Sequence, residues 1–233
     1  MSAWCRTTYR PDCSRPDAER RPGCRSGLLP LAGSKISQGL ISGVQCSTWC
    51  GRIRSDMDVH TRIGADGQPE SAVQVFRVLF VCLGNICRSV AAEHAFNAAV
   101  QAAGLADHVE ADSCGTAAYH IGEKPDSRML EALARAGFGY NGHRGRQFSR
   151  RDFEAFDLIV PQDDANYEEV IQKAHTPGEM AKVVPMSAWF PDDCPLHEVP
   201  DPYYGDKKGF DDVVALLVAA TRQMANDIAR AES

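Results

Sequence analysis

The segment VLFVCLGNICRSVAAEHAF, residues 78–96, restricts the possible folds of this 233-residue chain more than any other stretch. Residues 78–81 form a short apolar run typical of a buried strand, and residues 89–103 carry apolar side chains at helical spacing. A cysteine, a Gly-Asn pair and an arginine lie between them within seven positions. The sequence therefore predicts a strand, a tight loop and a helix, with Cys82 at the carboxyl end of the strand.

The rest of the C-terminal part alternates short apolar runs with amphipathic stretches. They predict further strands at 108–112, 156–160 and 181–186, and helices at 125–138, 163–175 and 209–231. Asp211 and Asp212 are expected in the first turn of the last helix. Because strands that alternate with helices pair in parallel, we expect an α/β fold with an open twisted sheet of about four strands. Helices on both faces would complete three flavodoxin-like layers, with ligands at the carboxyl ends of the strands, where Cys82 lies.

Residues 1–75 show neither sustained helical nor strand periodicity and are rich in Pro, Gly, Ser and Arg. We expect a mostly disordered, low-complexity N-terminal extension, followed by one domain at 76–233. Cys46 and Cys50 could form half of a metal site, but no second Cys/His pair with ligand spacing follows, so no metal or other cofactor is expected. Met57 begins a short leader to the domain, and we hypothesise that translation starts there.

Charge and cysteine content limit the partners and the location. Residues 1–75 carry nine Arg and one Lys against seven acids, whereas the remainder carries 15 basic and 24 acidic residues. An acidic domain gives no general reason to expect nucleic acid as a partner. No apolar run approaches the ~18 residues of a membrane helix, so no membrane association is expected. Nine irregularly spaced cysteines argue against a disulfide framework and for a reducing compartment, which predicts a cytoplasmic protein, either monomeric or weakly self-associating.

The loop after the first strand has the chemistry of an anion site with a nucleophile, although a thiol near a strand end is more often a small core residue. Gly84 permits close backbone approach, and Asn85 belongs to the few residues that tolerate a left-handed conformation. Backbone N–H groups of such a loop converge on one anion, and the planar fork of Arg88 suits two phosphate oxygens. The same positive elements would stabilise a thiolate at Cys82, to which Ser89 can donate a hydrogen bond.

With these residues in view, VCLGNICRS resembles the signature loop of the low-molecular-weight protein-tyrosine phosphatases, and the resemblance extends from residue 77 to about 230. It implies hydrolysis of phosphotyrosine in proteins, and of small aryl phosphates, through a phosphocysteine intermediate. It also implies that Cys82 is the nucleophile and that Arg88 stabilises the phosphoryl charge. The remaining loop residues implied to bind substrate are Leu83, Gly84, Asn85, Ile86, Cys87 and Ser89.

The motif DPYYGD supplies the second element of the resemblance. Taken alone, an Asp-Pro beside two tyrosines is an exposed turn. In the family, the aspartate of this motif is the general acid, so the resemblance assigns that role to Asp201. It places Tyr203 and Tyr204 at the wall of an aromatic substrate cleft, together with Tyr119, where relatives also carry an aromatic residue.

Three further residues match family positions that support the loop. Ser113 and His143 are implied to hydrogen-bond Asn85 and hold it in its strained shape. Asp163 is implied to fix Arg88, although an isolated aspartate at a helix start is otherwise an N-cap.

Four residues depart from the family pattern. Val90 replaces the usual proline, Cys114 replaces a small residue, and Pro161 and Gln162 stand where the family shows apolar residues. These departures bear on local geometry rather than on the mechanism.

Three other functions remain as alternatives. An arsenate reductase on the same scaffold needs further cysteines near the third strand, and residues 150–167 contain none. Protein-arginine phosphatases usually carry threonine in place of Ile86 and lack the second tyrosine, here Tyr204. A module that only binds phosphotyrosine would not need an intact set of Cys82, Arg88 and Asp201.

Cys87 suggests redox regulation. In the family the cysteine at this position forms a reversible disulfide with the nucleophile, which intercepts a sulfenic acid before irreversible oxidation. The alternative is that Cys87 is only a packed thiol.

Overall fold

A computed structural model describes residues 61–63, 69–71 and 75–232. The Cys46 and Cys50 pair and the proposed start at Met57 lie outside these residues, as does most of the segment predicted to be disordered. Within that segment, strands β1 (Thr61–Ile63) and β2 (Pro69–Ser71) pair antiparallel, which the sequence patterns did not indicate.

The C-terminal part alternates strands with helices, as predicted. Its elements in chain order are β3 (Phe76–Cys82), α1 (Arg88–Ala102), β4 (Val109–Gly115), α2 (Ser127–Arg135), α3 (Asp152–Ala155), β5 (Leu158–Pro161), α4 (Asp164–Ile171), α5 (Pro177–Ala181), a 3₁₀ turn (Met186–Trp189) and α6 (Lys207–Glu232).

β3 is the central strand of a parallel sheet with the order β4-β3-β5. The expectation of about four strands is wrong, because the sheet has three strands in the described part of the chain. Residues 181–186, predicted as the fourth strand, contribute a single bridge between Val183 and Ile159. α5 ends only at Ala181, and Pro185 lacks the N–H group that a longer ladder would require, so the pairing stops there.

The sheet is covered on both faces, which confirms the three-layer architecture. Val78 and Phe80 of β3 pack into the hydrophobic core that also contains residues of α1, α2 and α6. Leu79 and Val81 pack into a second core on the other face, with residues such as Phe153. These four side chains, at residues 78–81, are fully buried. Burial on both faces explains why this part of β3 is a continuous apolar run rather than an alternating one.

The predicted helices are present with shifted ends. α1 lies within one residue of its predicted range at each end. α6 begins two residues earlier than expected, because the Asp206 carboxylate accepts a hydrogen bond from the Gly209 N–H group at 3.0 Å and caps the helix. Asp211 therefore lies beyond the first turn, where it binds Arg135 of α2 at 2.6 Å. α2 and α4 are shorter than their predicted ranges.

The strand order creates the place for a site. The chain leaves β3 toward β4 on one side and later adds β5 on the other, so a crevice opens at the carboxyl end of β3, where Cys82 is its last residue. No helix in the described residues is long and apolar enough to cross a membrane.

Candidate active site

Residues 82–88, here called the thiol loop, connect β3 to α1. Their backbone carbonyl groups are bound from outside the loop. The Cys82 oxygen accepts a hydrogen bond from the Thr116 N–H group at 2.8 Å, and the Ile86 oxygen accepts one from the Asp126 N–H group at 2.9 Å. Carbonyl groups held on the outside of a tight loop leave its N–H groups available to an anion on the inside.

Asn85 fixes the shape of the loop. It is the one non-glycine residue with positive φ in the described part of the chain, at 55°. Its Nδ2 group donates to Ser89 Oγ at 3.0 Å and to Ser113 Oγ at 2.9 Å. Its Oδ1 atom accepts from the Arg146 N–H group at 2.9 Å and lies 3.2 Å from His143 Nε2. The full hydrogen-bonding capacity of the amide is thus used to hold a left-handed backbone that costs about 1–3 kcal/mol.

Hydrogen-bond donors reach the Cys82 sulfur from two sides. The Asn85 N–H group donates to it at 3.3 Å, and Ser89 Oγ lies 3.0 Å away. Because Ser89 already accepts from the Asn85 amide, its own proton is available for the sulfur. The sulfur is buried, with Cys82 3% exposed, so these donors are its main polar surroundings.

Glu93, which the sequence analysis missed, lies behind this network on α1. Its carboxylate accepts from Ser113 Oγ at 2.7 Å and from Asn141 Nδ2 at 3.0 Å, and it lies 3.4 Å from His143 Nδ1. Burial acts to raise the pKa of Glu93, but the hydrogen bonds from His143, Ser113 and Asn141 outweigh it and hold the pKa below its ordinary value of 4.5. The available signal was that Glu93 is the one acidic residue of α1 and stands among alanines.

The carboxylate of Glu93 determines the direction of every bond in this network. It has no proton to give, so the Ser113 hydroxyl donates to it and can only accept from Asn85. The second N–H of the Asn85 amide goes to Ser89, whose proton then points to Cys82. A fixed negative charge on α1 therefore orients donors toward the sulfur through three side chains.

Arg88 joins the thiol loop to two other parts of the chain. Its Nη1 group donates to Asp163 Oδ2 at 2.5 Å and to the Val199 carbonyl oxygen at 3.2 Å, and its Nη2 group lies 3.5 Å from Asp201 Oδ2. Burial disfavours the charge on Arg88, but Cys82 and the two carboxylates raise its pKa above the ordinary value. The guanidinium is therefore a permanent positive charge beside the sulfur.

Asp163 has both of the roles that were expected from the sequence: it caps a helix and it binds Arg88. One carboxylate oxygen caps α4 by accepting from the Asn166 N–H group at 2.7 Å, while the other binds Arg88. The two residues before it, which depart from the family pattern, continue the sheet: Pro161 pairs with β3, and the Gln162 carbonyl oxygen accepts from the Val199 N–H group at 2.8 Å.

Asp201 and the three tyrosines predicted for the site all carry exposed side chains. Asp201 Oδ1 accepts a hydrogen bond from the Tyr203 N–H group at 3.1 Å. The rings of Tyr203 and Tyr204 meet edge to face at 5.1 Å, and Tyr204 is 92% exposed. Tyr119 is also exposed, and no contact within the described residues joins it to the thiol loop. Its neighbour His120 lies beside Gly84 at the loop's edge.

The remaining cysteines of this region are buried thiols. Burial raises the pKa of Cys87, and the charges of Asp126 and Cys82 raise it further. Burial likewise raises the pKa of Cys114, which lies in the second hydrophobic core. Val90, in place of the family's proline, is fully buried on α1. Within the described ranges, no three His, Cys, Asp or Glu side chains are grouped so that they could hold a metal ion.

The chain matches the family model described as low molecular weight phosphotyrosine protein phosphatase over residues 77–233. It is 42% identical over 147 residues to a Streptomyces coelicolor protein named low molecular weight protein-tyrosine-phosphatase, which covers 63% of this chain and 89% of the relative. It is 40% identical over 154 residues to a Schizosaccharomyces pombe low molecular weight phosphotyrosine protein phosphatase, which covers 66% of this chain and 97% of the relative.

A solved structure is also similar. The crystal structure of a protein tyrosine phosphatase from Entamoeba histolytica with Hepes in the active site matches with a TM-score of 0.64 and 34% identity. The match covers 68% of this chain and 99% of that chain.

The packing behind the thiol loop predicts the effect of a single methyl group at Gly115. A Cβ atom there would lie 2.7 Å from the Leu83 carbonyl oxygen and 3.0 Å from the Asn85 nitrogen, so the loop backbone must shift. We expect Gly115→Ala to weaken binding of inorganic phosphate at least ~10-fold, about 1.4 kcal/mol, as measured by calorimetry. Gly139→Ala, where a Cβ atom meets nothing within 4 Å, is the control. Unchanged phosphate affinity in Gly115→Ala would show that the loop does not depend on this packing.

Glu93 predicts a pH-dependent contribution to stability. Because its pKa is lower in the folded protein than its ordinary 4.5, the carboxylate stabilises the folded state above that value, and this contribution is lost as the pH falls through the lowered pKa. We expect Glu93→Gln to reduce the free energy of unfolding by about 2 kcal/mol at neutral pH, and by less in progressively more acidic buffers. Urea unfolding at several pH values measures this.

The control for this variant is Glu131→Gln, at an exposed glutamate 3.7 Å from Arg135. It should change the free energy of unfolding by less than about 0.5 kcal/mol at every pH. A Glu93→Gln deficit that stays constant with pH would contradict the charged network.

Proposed function

This chain belongs to the low molecular weight phosphotyrosine protein phosphatase family, and we propose that the thiol loop is its catalytic site, with Cys82, Arg88 and Asp201 as the catalytic residues. The chain is a protein-tyrosine phosphatase. The observation that carries the assignment of residues is the position of Arg88. Arg88 is the last residue of the thiol loop, and its Nη2 group lies 3.5 Å from the carboxylate of Asp201, 113 positions further along the chain.

In the first step, the Cys82 thiolate attacks the phosphorus atom in line with the tyrosine oxygen. The sulfur–phosphorus bond forms, the phosphorus–oxygen bond breaks, and Asp201 protonates the departing phenolate oxygen. The loop N–H groups and Arg88 stabilise the charge on the three equatorial oxygens. Asp163 contributes by holding the guanidinium in place from the opposite side to Asp201.

In the second step, a water molecule attacks the phosphocysteine, and Asp201 accepts its proton. The sulfur–phosphorus bond breaks, inorganic phosphate leaves, and Cys82 returns as a thiolate. Ser89 and the Asn85 N–H group lie at 3.0 and 3.3 Å from the sulfur, so they stabilise its charge as the bond breaks. Departure of the thiolate is thus assisted by the same donors that orient it for attack.

The substrate side of the site suits an aromatic ester. Leu83 of the thiol loop and Tyr203 and Tyr204, which follow Asp201, are large side chains that remain exposed, and we assign them with Tyr119 to the wall of the substrate cleft. Phosphoarginine hydrolysis and arsenate reduction are the activities to exclude by direct assay. The described cysteines are free thiols, and the mechanism needs Cys82 reduced, so we place the protein in a reducing compartment such as the cytoplasm.

Two substitutions test the catalytic assignment. Cys82→Ser should abolish turnover of p-nitrophenyl phosphate and of phosphotyrosine peptides, because serine lacks a comparably nucleophilic anion. Asp201→Asn should slow phosphotyrosine hydrolysis by ~10²-fold or more, because an amide cannot protonate the phenolate. After rapid acid quench, mass spectrometry should detect phosphate on the peptide that contains Cys82.

The control is Asp206→Asn, because asparagine caps a helix as well as aspartate does and the Asp206 carboxylate caps α6. Its activity should equal that of the unmodified protein. Turnover retained in Cys82→Ser, or faster release from phosphoarginine or phosphoserine than from phosphotyrosine, would overturn the assignment.

We also propose that Cys87 protects the nucleophile. Its raised pKa keeps it a thiol, so peroxide oxidises Cys82 first to the sulfenic acid. The Cys87 sulfur then attacks the Cys82 sulfur as it gives up its proton, so that the disulfide forms, the sulfur–oxygen bond breaks, and the hydroxyl leaves with that proton as water.

Recovery of activity by dithiothreitol after a peroxide pulse measures this protection. We expect Cys87→Ala to recover substantially less activity than the unmodified protein or a Cys194→Ala control. Equal recovery of all three proteins would show that Cys87 is only a packed thiol.

A further inference from the structure

A second connection crosses the cleft between the thiol loop and the segment that carries Asp201. It begins at Asp126, whose N–H group donates to the Ile86 carbonyl oxygen of the thiol loop at 2.9 Å. The Asp126 carboxylate binds the Arg128 guanidinium in a bidentate pair, with Nε at 3.0 Å and Nη2 at 2.7 Å. Bidentate pairing fixes the plane of the guanidinium as well as its position.

The Arg128 guanidinium lies between two aromatic rings. Its central carbon is 4.7 Å from the ring centre of Phe210 and 5.3 Å from the ring centre of Tyr203. Phe210 is fully buried at the start of α6, so it is a fixed support. Tyr203 is partly exposed, and its backbone N–H group donates to Asp201 Oδ1. The guanidinium thus connects the buried core to the residue that hydrogen-bonds Asp201.

We propose that Arg128 is a positioning residue for Asp201. It acts through the contact of its guanidinium with the Tyr203 ring, and thereby fixes the distance between the Asp201 carboxylic acid and the thiol loop. Arg128 touches neither the sulfur nor the phosphoryl site in this arrangement, and its effect passes through Asp126 on one side and Tyr203 on the other. The inference rests on the proposed function, because it requires that Asp201 be the general acid.

Proton transfer depends steeply on distance and direction, which is why the position of Tyr203 matters. A displacement of about 1 Å in a catalytic group can cost ~10²-fold in rate. Asp201 is itself held only by a 3.5 Å contact to Arg88 and by the Tyr203 N–H group among the described residues. A Tyr203 ring without its cationic partner would leave the second of these contacts unsupported.

The molecule contains a matched control for this arginine. Arg135 lies on the same helix, is comparably exposed, and uses Nε and Nη2 to bind Asp211 of α6 at 3.0 and 2.6 Å. It therefore links α2 to α6 with a similar ion pair, but it contacts no residue of the proposed catalytic site in the described structure. A loss caused only by weakened packing of α2 should appear in Arg135→Met as well as in Arg128→Met.

The experiment compares two substrates that differ in their need for an acid. Phenyl phosphate has a poor leaving group that must be protonated, whereas the p-nitrophenolate of p-nitrophenyl phosphate leaves with much less help. We expect Arg128→Met to lower kcat/KM for phenyl phosphate, which reports the first step alone, about 10-fold, which is part of the ~10²–10⁴ that a general acid supplies. We expect kcat/KM for p-nitrophenyl phosphate to fall less than ~3-fold, and the inhibition constant of inorganic phosphate to stay unchanged. Arg128→Lys, which keeps the charge but loses the fork, should restore part of the loss.

A double-mutant cycle with Asp201→Asn decides whether Arg128 acts through the acid. In the Asp201→Asn background, Arg128→Met should change kcat/KM for phenyl phosphate by less than ~2-fold, because the group that it positions no longer donates a proton. Additive losses, an equal fall on both substrates, or the same fall in Arg135→Met would overturn the proposal. If Asp201→Asn itself lowers kcat/KM equally for both substrates, the failure belongs to the assignment of the acid and not to Arg128.

Discussion

The amide of Asn85 is the interaction on which the rest of the site depends. A left-handed backbone at a non-glycine residue is unfavourable by about 1–3 kcal/mol, and here it turns the thiol loop so that it can surround an anion. Its four side-chain hydrogen bonds reach Ser89 on α1, Ser113 on β4, and His143 and Arg146 on one connecting segment. At about 1 kcal/mol each, these bonds offset the strain, so the protein holds the loop in its binding shape without a ligand.

The charged side chains behind the thiol loop are each paired with hydrogen-bond donors or with groups of opposite charge. Glu93 would be costly to bury alone, but three donors surround its carboxylate. Arg146 completes the same pattern on the other side of Asn85: its guanidinium binds Asp112 at 2.8 Å and Asp152 at 3.0 Å, while its N–H group holds the Asn85 amide. The thiol loop therefore rests on two ion networks, the buried one of Glu93 and the partly exposed one of Arg146, rather than on apolar packing alone.

The local part of this arrangement could be predicted from the sequence, and the long-range part could not. The strand, thiol loop and first helix follow from apolar spacing within residues 78–103, and the structure places Cys82 at the strand end as expected. The contact between Asp163 and Arg88 was anticipated only through the family resemblance, because nothing in local pattern relates residues 75 positions apart. Glu93 was missed because a glutamate on a helix is ordinarily exposed, and the fourth strand was predicted from apolar content where Pro185 limits the ladder.

The three groups assigned to catalysis differ in how firmly the fold holds them. The two groups proposed for attack and charge stabilisation are held firmly, and the proposed acid is held loosely. Cys82 ends a fully paired central strand, and Arg88 is bound by Asp163 and by the Val199 carbonyl oxygen, so attack and charge stabilisation use fixed groups. The Val199 N–H group is also bound, but two residues later Asp201 has, within the described part of the chain, only a 3.5 Å ionic contact and one backbone donor. In the proposed mechanism the acid first gives a proton to a phenolate oxygen and then takes one from a water molecule. Its carboxyl group must therefore reach two oxygen atoms at different positions. The looser hold on Asp201 provides that freedom, and rigid neighbours on both sides confine it to the cleft.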